Sequence, residues 1–299
     1  MTETVNPPCL TPLGDYAFLA VEGERATPFL QGQLTCDLRQ AGAGQVIPGA
    51  WCTVKGRVAC SFLLWQPEPS RVLLRLRADL VESTTALLLK YGVFSRIVVS
   101  DPGLACIGLL AAPGSTQLPG LGPCGERHTL RAIDDALLLH REPALGLFEL
   151  WVPRASSGPW SERLGTGFAN CDVDAWRLAL IRAGEAEVQA ATTGLFLPQM
   201  LDYEARGAVS FRKGCYTGQE IVARTHYKGG VKRHLRRLAG EGSAPPPGSE
   251  IRAGERALGT VVESASSSTC LFEVLAVLGD EIAPDTALDC AGTKLGLPA

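Results

Sequence analysis

The 299-residue chain has no C-x-x-C pair, no cluster among its four histidines and no large excess of either charge. It also lacks any apolar run near the ~18 residues of a membrane span; the longest, such as Leu104 to Ala112, fall well short. Cys9, Cys36, Cys52, Cys60, Cys106, Cys124, Cys171, Cys215, Cys270 and Cys290 are spread singly. That scatter reads as reduced, mostly buried thiols, not a disulfide framework or a zinc site, and no metal is expected. A formal net charge of −3 excludes a surface that attracts nucleic acid or membrane everywhere, so any basic site must be local. The first eight residues have neither a basic n-region nor an apolar h-region, so a soluble cytoplasmic protein is expected. What is present is apolar mass: 46% hydrophobic residues against 20% charged, enough for a packed core and for two or three units.

Periodicity along the chain predicts a mixed α+β pattern. Leu13 to Val21 reads as a strand. The spacing of Phe29, Leu30, Leu34 and Leu38 predicts a helix over 25–38, and 46–65 reads as two strands around Lys55-Gly56. Val72, Leu74 and Leu76 mark a further strand, 79–90 a helix, and 95–99, 104–110, 136–140 and 147–152 short strands. The Pro/Gly-rich stretch 112–125 reads as a surface loop. Its formal G-x-G-x-x-G at Gly120 to Gly125 is a decoy, because Pro119 precedes it and Pro123 interrupts it where a helix would have to open. A helix is expected from Asp172 or Asp174 to Ala183. The clearest break is Gly240 to Gly248, followed by short strands of a small all-β module, so a domain boundary is placed near residue 238.

One segment carries chemistry. In Phe211 to Tyr227, Thr217 followed three residues later by Glu220 fits a capping box, which predicts a short helix from Gly218 to about Lys228, stopped by Gly229-Gly230. Cys215 would then lie just ahead of the helix, where its positive end and the neighbouring Arg212 and Lys213 favour thiolate. Cys215 is therefore the candidate reactive or ligating thiol among the ten; the alternative is a structural cysteine at a tight turn. Gly214 and Gly218 would let backbone N–H groups approach an anion. Between Arg206 and Arg237 there are nine Lys/Arg against a single carboxylate, Glu220. Such a stretch suits an anionic partner (a polyglutamate tail, RNA or an acidic protein face) or is a solvated helix-to-strand edge, and no stacking aromatics at single-strand spacing accompany it. His226 and His234 read as surface histidines.

Lys213-Gly214-Cys215-Tyr216-Thr217-Gly218-Gln219-Glu220 resembles the K-G-C-Y-x-G-Q-E signature of the YgfZ family of folate-binding proteins, related in fold to the T-protein aminomethyltransferase of glycine cleavage. Phe29 to Asp37, Lys55-Gly56-Arg57, Tyr91 to Ser95 and Leu197-Pro198-Gln199 resemble further family segments in the same order. The resemblance implies a T-protein-like folate-binding fold of α+β subdomains over 1–237 (roughly 1–50 plus 155–237, and 51–154), followed by a C-terminal β-barrel over 238–299. It implies tetrahydrofolate, in some cases polyglutamylated, and a transiently bound iron–sulfur cluster. The implied role is accessory: supporting assembly or repair of iron–sulfur enzymes, including the one that methylthiolates tRNA. Partners would be folate and iron–sulfur enzymes or cluster carriers, with contact to tRNA indirect and no membrane involved. Of two tryptophans associated with folate in the family, one corresponds to Trp176, while the other position is Tyr16 here.

The competing reading is a folate-dependent one-carbon transferase of the aminomethyl type. T-protein enzymes carry acidic residues a few positions after the glycine corresponding to Gly56, whereas this chain reads Gly56-Arg57-Val58-Ala59-Cys60-Ser61. With no carboxylate there to act on the folate nitrogen, aminomethyl transfer is disfavoured.

Overall fold

The computed structural model describes residues 8–282 and 286–298. Residues 1–7, the part of the amino terminus read for a leader, lie outside them. The described chain divides into two compact units. The first comprises 8–27, Arg39–Ile47 and Leu63–Trp176; the second comprises Pro28–Leu38, Pro48–Phe62 and the chain from Arg177 onward. Both units are woven from several passes of the chain, with Val46–Cys52 and Val58–Glu68 each running across the division.

The first unit is built on a six-stranded sheet in the order Leu130–Ile133, Ala136–Glu142, Leu147–Pro153, Leu104–Leu110, Cys9–Pro12, Ala169–Asn170. All neighbours are antiparallel except the last pair, where Cys9 faces Ala169 in parallel register. Leu10, Ile107, Leu109, Leu138, Phe148 and Leu150 form its apolar face, and the helix Ser157–Leu164 lays Trp160 and Leu164 onto it. The same unit pairs Tyr16–Glu22 antiparallel with Arg71–Arg77 on one side and Val98–Ser100 on the other. The loop expected over 112–125 is less superficial than its composition suggests. A two-residue ladder, Gln117–Leu118 with Gly122–Pro123, turns Leu118 and Leu121 into the core, where burying two leucines outweighs the solvation of the loop backbone. Gly120 and Gly122 have φ of 68° and 83°, the left-handed turn that glycine adopts at little cost, and no helix opens there.

The second unit ends in a closed six-stranded barrel, formed by Arg233–Glu241, Glu250–Ala253, Arg256–Ser266, Leu271–Gly279, Leu288–Cys290 and Thr293–Gly296. Pairing of Gly240 with Leu295 closes it, around Leu238, Ile251, Val261, Phe272, Val274 and Ala276. The boundary placed at 238 falls inside the first barrel strand. The charged run Arg233–Arg237 hides that strand in the sequence, but its backbone pairs along the whole of Leu271–Gly279. The helix expected over 25–38 is only Ala26–Gln31. After it the chain turns, the Gln31 side chain accepts the Leu38 N–H at 2.9 Å, and Leu34 pairs as an isolated bridge with Trp51. The apolar spacing at 29, 30, 34 and 38 is satisfied by burial without a continuous helix.

Candidate functional site

The signature turn is a pinned loop in the second unit. Lys213 is buried, and its ammonium donates to the carbonyls of Leu34 (2.6 Å) and Cys36 (2.8 Å). It also sits 5.4 Å from the centre of the Tyr216 ring. A buried ammonium is tolerated only when such acceptors replace its water. Burial pushes the Cys36 thiol up to about 12, against the lowering pull of the Lys213 charge. Tyr216 is buried too; its hydroxyl has no hydrogen-bond partner among the described residues, and desolvation raises its phenol pKa. Between these anchors Cys215 is exposed, one of only two of the ten cysteines that are, the other being Cys270.

The helix that follows is Gln219–Lys228, with Gly218 as its N-cap at φ 82° and no side-chain cap. The expected capping box does not form. Thr217 instead turns its hydroxyl to Gln33, donating to Oε1 at 3.0 Å, and the left-handed position that begins the helix needs glycine. A Cβ on Gly218 would lie 2.3 Å from the Thr53 carbonyl oxygen, and one on Gly56 2.9 Å from the Ile221 Cβ, so the Lys55-Gly56-Arg57 turn lies flush on the helix start. At the other end Gly230, φ 65°, donates its N–H to the Thr225 carbonyl at 2.8 Å, the stop that Gly229-Gly230 predicts. Gln199 donates to the Val222 carbonyl at 2.9 Å, while Thr35 donates to Ala208 at 2.6 Å and accepts from Ala50 N–H at 2.9 Å. Segments 29–37, 55–57 and 197–199 therefore converge on the turn. Gly214 faces open space and Glu220 is exposed. Lys213, one of the two cations expected beside the Cys215 sulfur, has its charge directed inward to carbonyls instead.

Tyr16 and Trp176 lie in the first unit and share one buried polar network. The Glu149 carboxylate, fully buried in the apolar strand Leu147–Pro153, accepts from Arg75 Nε at 3.1 Å and from the Arg75 terminal nitrogen. It also accepts from Arg141 at 2.5 Å, Trp151 Nε1 at 2.9 Å and Cys106 Sγ at 3.4 Å. Burial raises the Glu149 pKa, but the charges of Arg75 and Arg141 with the hydrogen bonds of Arg75 and Trp151 outweigh it and hold the carboxyl at about 2. The Arg75 guanidinium stacks 4.2 Å from the Tyr16 ring centre and Arg77 5.1 Å from it, while Arg141 lies 5.9 Å from the Trp176 ring. Trp176 has no exposed surface. A Cβ on Gly108 would fall 2.8 Å from its ring, and its indole N–H is a buried donor with no acceptor among the described residues. Sequence reasoning missed Arg75, Arg141 and Glu149. The available signal was a lone carboxylate inside the apolar run Leu147-Phe148-Glu149-Leu150-Trp151, which demands a buried cation.

No protein-family model matches the chain. Among curated proteins, the tRNA-modifying protein YgfZ of Yersinia pseudotuberculosis serotype O:1b is 31% identical over 299 residues, covering 97% of this chain and 90% of that protein. The chain belongs to the YgfZ family. The tRNA-modifying protein YgfZ of Escherichia fergusonii is 30% identical over 289 residues, covering 94% of this chain and 88% of that protein. Among solved structures, glycine cleavage system aminomethyltransferase T from Bartonella henselae superposes with a TM-score of 0.76 at 16% identity, over 99% of this chain and 86% of that one. At that identity the likeness establishes the fold: this YgfZ-family chain has the T-protein architecture, α+β with a C-terminal barrel, as its signature turn implies.

Proposed function

We propose that this YgfZ-family chain is a folate-binding accessory protein that supports assembly or repair of iron–sulfur enzymes, tRNA methylthiolation included, and that Cys215 is its working thiol. The observation that carries the reading is the pinned turn. The ammonium of Lys213 and the ring of Tyr216 are buried on either side of an exposed sulfur, so the loop is held by its neighbours and the thiol is left for a partner. A single exposed thiol of this kind can supply one ligand to a shared cluster, accept sulfur, or form a transient mixed disulfide. In cells lacking the protein, Cys215→Ser should fail to restore iron–sulfur enzyme activity while Cys270→Ser restores it. Full restoration by Cys215→Ser would sink the proposal.

Tetrahydrofolate fits the first unit through polar groups. Neither aromatic offers an open ring face, since Trp176 is fully buried and Tyr16 is faced by guanidinium groups. Among the described residues the indole N–H of Trp176 has no acceptor, and it is a donor that a carbonyl or ring nitrogen of a pteridine would satisfy once admitted. Tetrahydrofolate should bind the wild type and bind Trp176→Phe more weakly, followed by fluorescence of the remaining tryptophans; equal affinity would remove Trp176 from the site. Aminomethyl transfer is disfavoured, because none of the five residues after Gly56, Arg57 to Ser61, is a carboxylate that could act on the folate nitrogen. Among the described residues no helix is long and apolar enough to cross a membrane.

A further inference from the structure

The basic stretch has a partner-seeking surface that the folate and thiol chemistry does not use. Elsewhere arginines are neutralised: Arg71 by Glu22 (3.1 Å), Arg127 by Glu142 (2.7 Å), Arg163 by Asp134 (2.6 Å) and Arg182 by Glu273 (2.5 Å). By contrast Arg212, Arg224, Lys228, Lys232, Arg233 and Arg236 are all exposed, and none of their side chains has an ion pair or hydrogen bond among the described residues. Arg212 precedes the helix Gln219–Lys228, Arg224 and Lys228 lie on it, and Arg233 and Arg236 start the strand Arg233–Glu241 on its opposite faces; Lys232 and Arg233 line a hollow shared with the carboxylates of Asp280 and Glu281. A chain of net charge −3 that concentrates unpaired cations in one segment presents a local field for an anion.

The second observation is aromatic. Phe211 and His226 stack with centroids 4.0 Å apart and planes 18° from parallel, and Glu204 holds the His226 Nδ1 at 2.6 Å. Tyr227 stands edge-on to both rings, 6.1 Å from Phe211 and 4.5 Å from His226, yet is 69% exposed. Arg224, Tyr227 and Lys228 follow at i, i+3 and i+4, so the ring is flanked by two cations on one helix face. The sequence hides this platform because Phe211 lies fifteen positions before its stacking partner His226. We infer that this surface binds RNA directly, with unpaired loop nucleotides stacking on Tyr227 and the backbone phosphates lying along Arg212, Arg224, Lys228 and Arg236. An acidic protein would be drawn by the same charges; an exposed ring held between cations is the arrangement on which an unpaired base stacks while its phosphates are neutralised. The inference does not rest on folate binding or on Cys215.

The test is a fluorescence-anisotropy titration of the full chain with a labelled hairpin RNA carrying a seven-nucleotide loop, with the same stem lacking an open loop, and with poly-L-glutamate. Four phosphate contacts to single-stranded nucleic acid predict a log–log salt slope of about −3, or a loss of about 50-fold in affinity between 50 and 200 mM salt. The combined variant Arg212→Gln/Arg224→Gln/Lys228→Gln should weaken hairpin binding more than tenfold and reduce the slope by about 2. Tyr227→Ala should weaken it about tenfold for the looped hairpin alone and leave the slope unchanged. These side chains are exposed, so circular dichroism and the thermal midpoint should not move. No hairpin binding at 50 mM salt, or equal binding by the combined variant, overturns the inference. So does poly-L-glutamate binding as tightly as the hairpin with Tyr227→Ala neutral, which would assign the surface to an acidic protein.

Discussion

Glu149→Gln removes one negative charge from between two guanidinium groups, those of Arg75 and Arg141, each with a side chain 1% exposed. The carboxyl is held at about 2 in the folded chain against an ordinary 4.5, a difference worth about 3 kcal/mol of stability at neutral pH. Because the folded value is depressed, that contribution is fully present above about 4.5 and is lost as pH falls through about 2. The amide keeps the shape, but it turns a charge-paired cluster into two buried cations sharing a neutral acceptor. Removing one partner of a buried pair costs about 3–5 kcal/mol. Urea unfolding at pH 7 is the assay. Trp65, Trp151, Trp160 and Trp176 all lie in the first unit, so intrinsic fluorescence reports mainly on it. Glu149→Gln should lose about 3 kcal/mol at pH 7 and show a shallower decline of stability between pH 4.5 and 2 than the wild type. Since Arg75 packs on Tyr16 and Arg141 on Trp176, tetrahydrofolate affinity should fall as well. A variant within about 1 kcal/mol of wild type with an unchanged acid limb would refute the network as a stabilising element.

Lys213→Met leaves the Leu34 and Cys36 carbonyls without the ammonium that now serves them, and should cost about 2–5 kcal/mol in urea unfolding of the second unit. Tyr216→Phe deletes a buried hydroxyl that has no partner, so the chain should be as stable or about 1 kcal/mol more stable; lost function in a stable Tyr216→Phe chain would mean that the hydroxyl serves a ligand. Gly218→Ala places a methyl against the Thr53 carbonyl at a left-handed φ and should destabilise by more than about 2 kcal/mol, whereas Thr217→Ala, which removes no helix cap, should cost under about 1 kcal/mol. Titration of the native chain with a thiol reagent should modify Cys215 and Cys270 rapidly. Cys36 and Cys52, buried and pushed up to about 12, should react only on unfolding; fast reaction of four or more thiols would contradict the burial pattern.

Much of the candidate site was readable because its parts are local. The eight residues from Lys213 to Glu220, the short helix after them and the glycine stop are contiguous, and each depends on neighbours within a few positions. The same locality misled at Thr217: a capping box is a local pattern, but the hydroxyl found Gln33, 184 positions away, and the start of the helix went to a glycine. The alternation of Val72, Leu74 and Leu76 with arginines read correctly as a strand, yet gave no sign that Arg75 and Arg77 are buried.

The sequence by itself determined the family through contiguous motifs, and determined the secondary structure wherever apolar periodicity and glycine stops are short-range properties of the chain. Only the tertiary structure decided where charges are paired. Lys213 turned inward to two carbonyls, Arg75 and Arg141 met Glu149 across separate strands, and Arg212, Arg224 and Lys228 stayed exposed with no ion pair among the described residues. The physical reason is that the free energy of a charge is set by its solvation and its partners in space. In a chain that passes several times between two units, those partners lie tens to hundreds of residues away along the sequence.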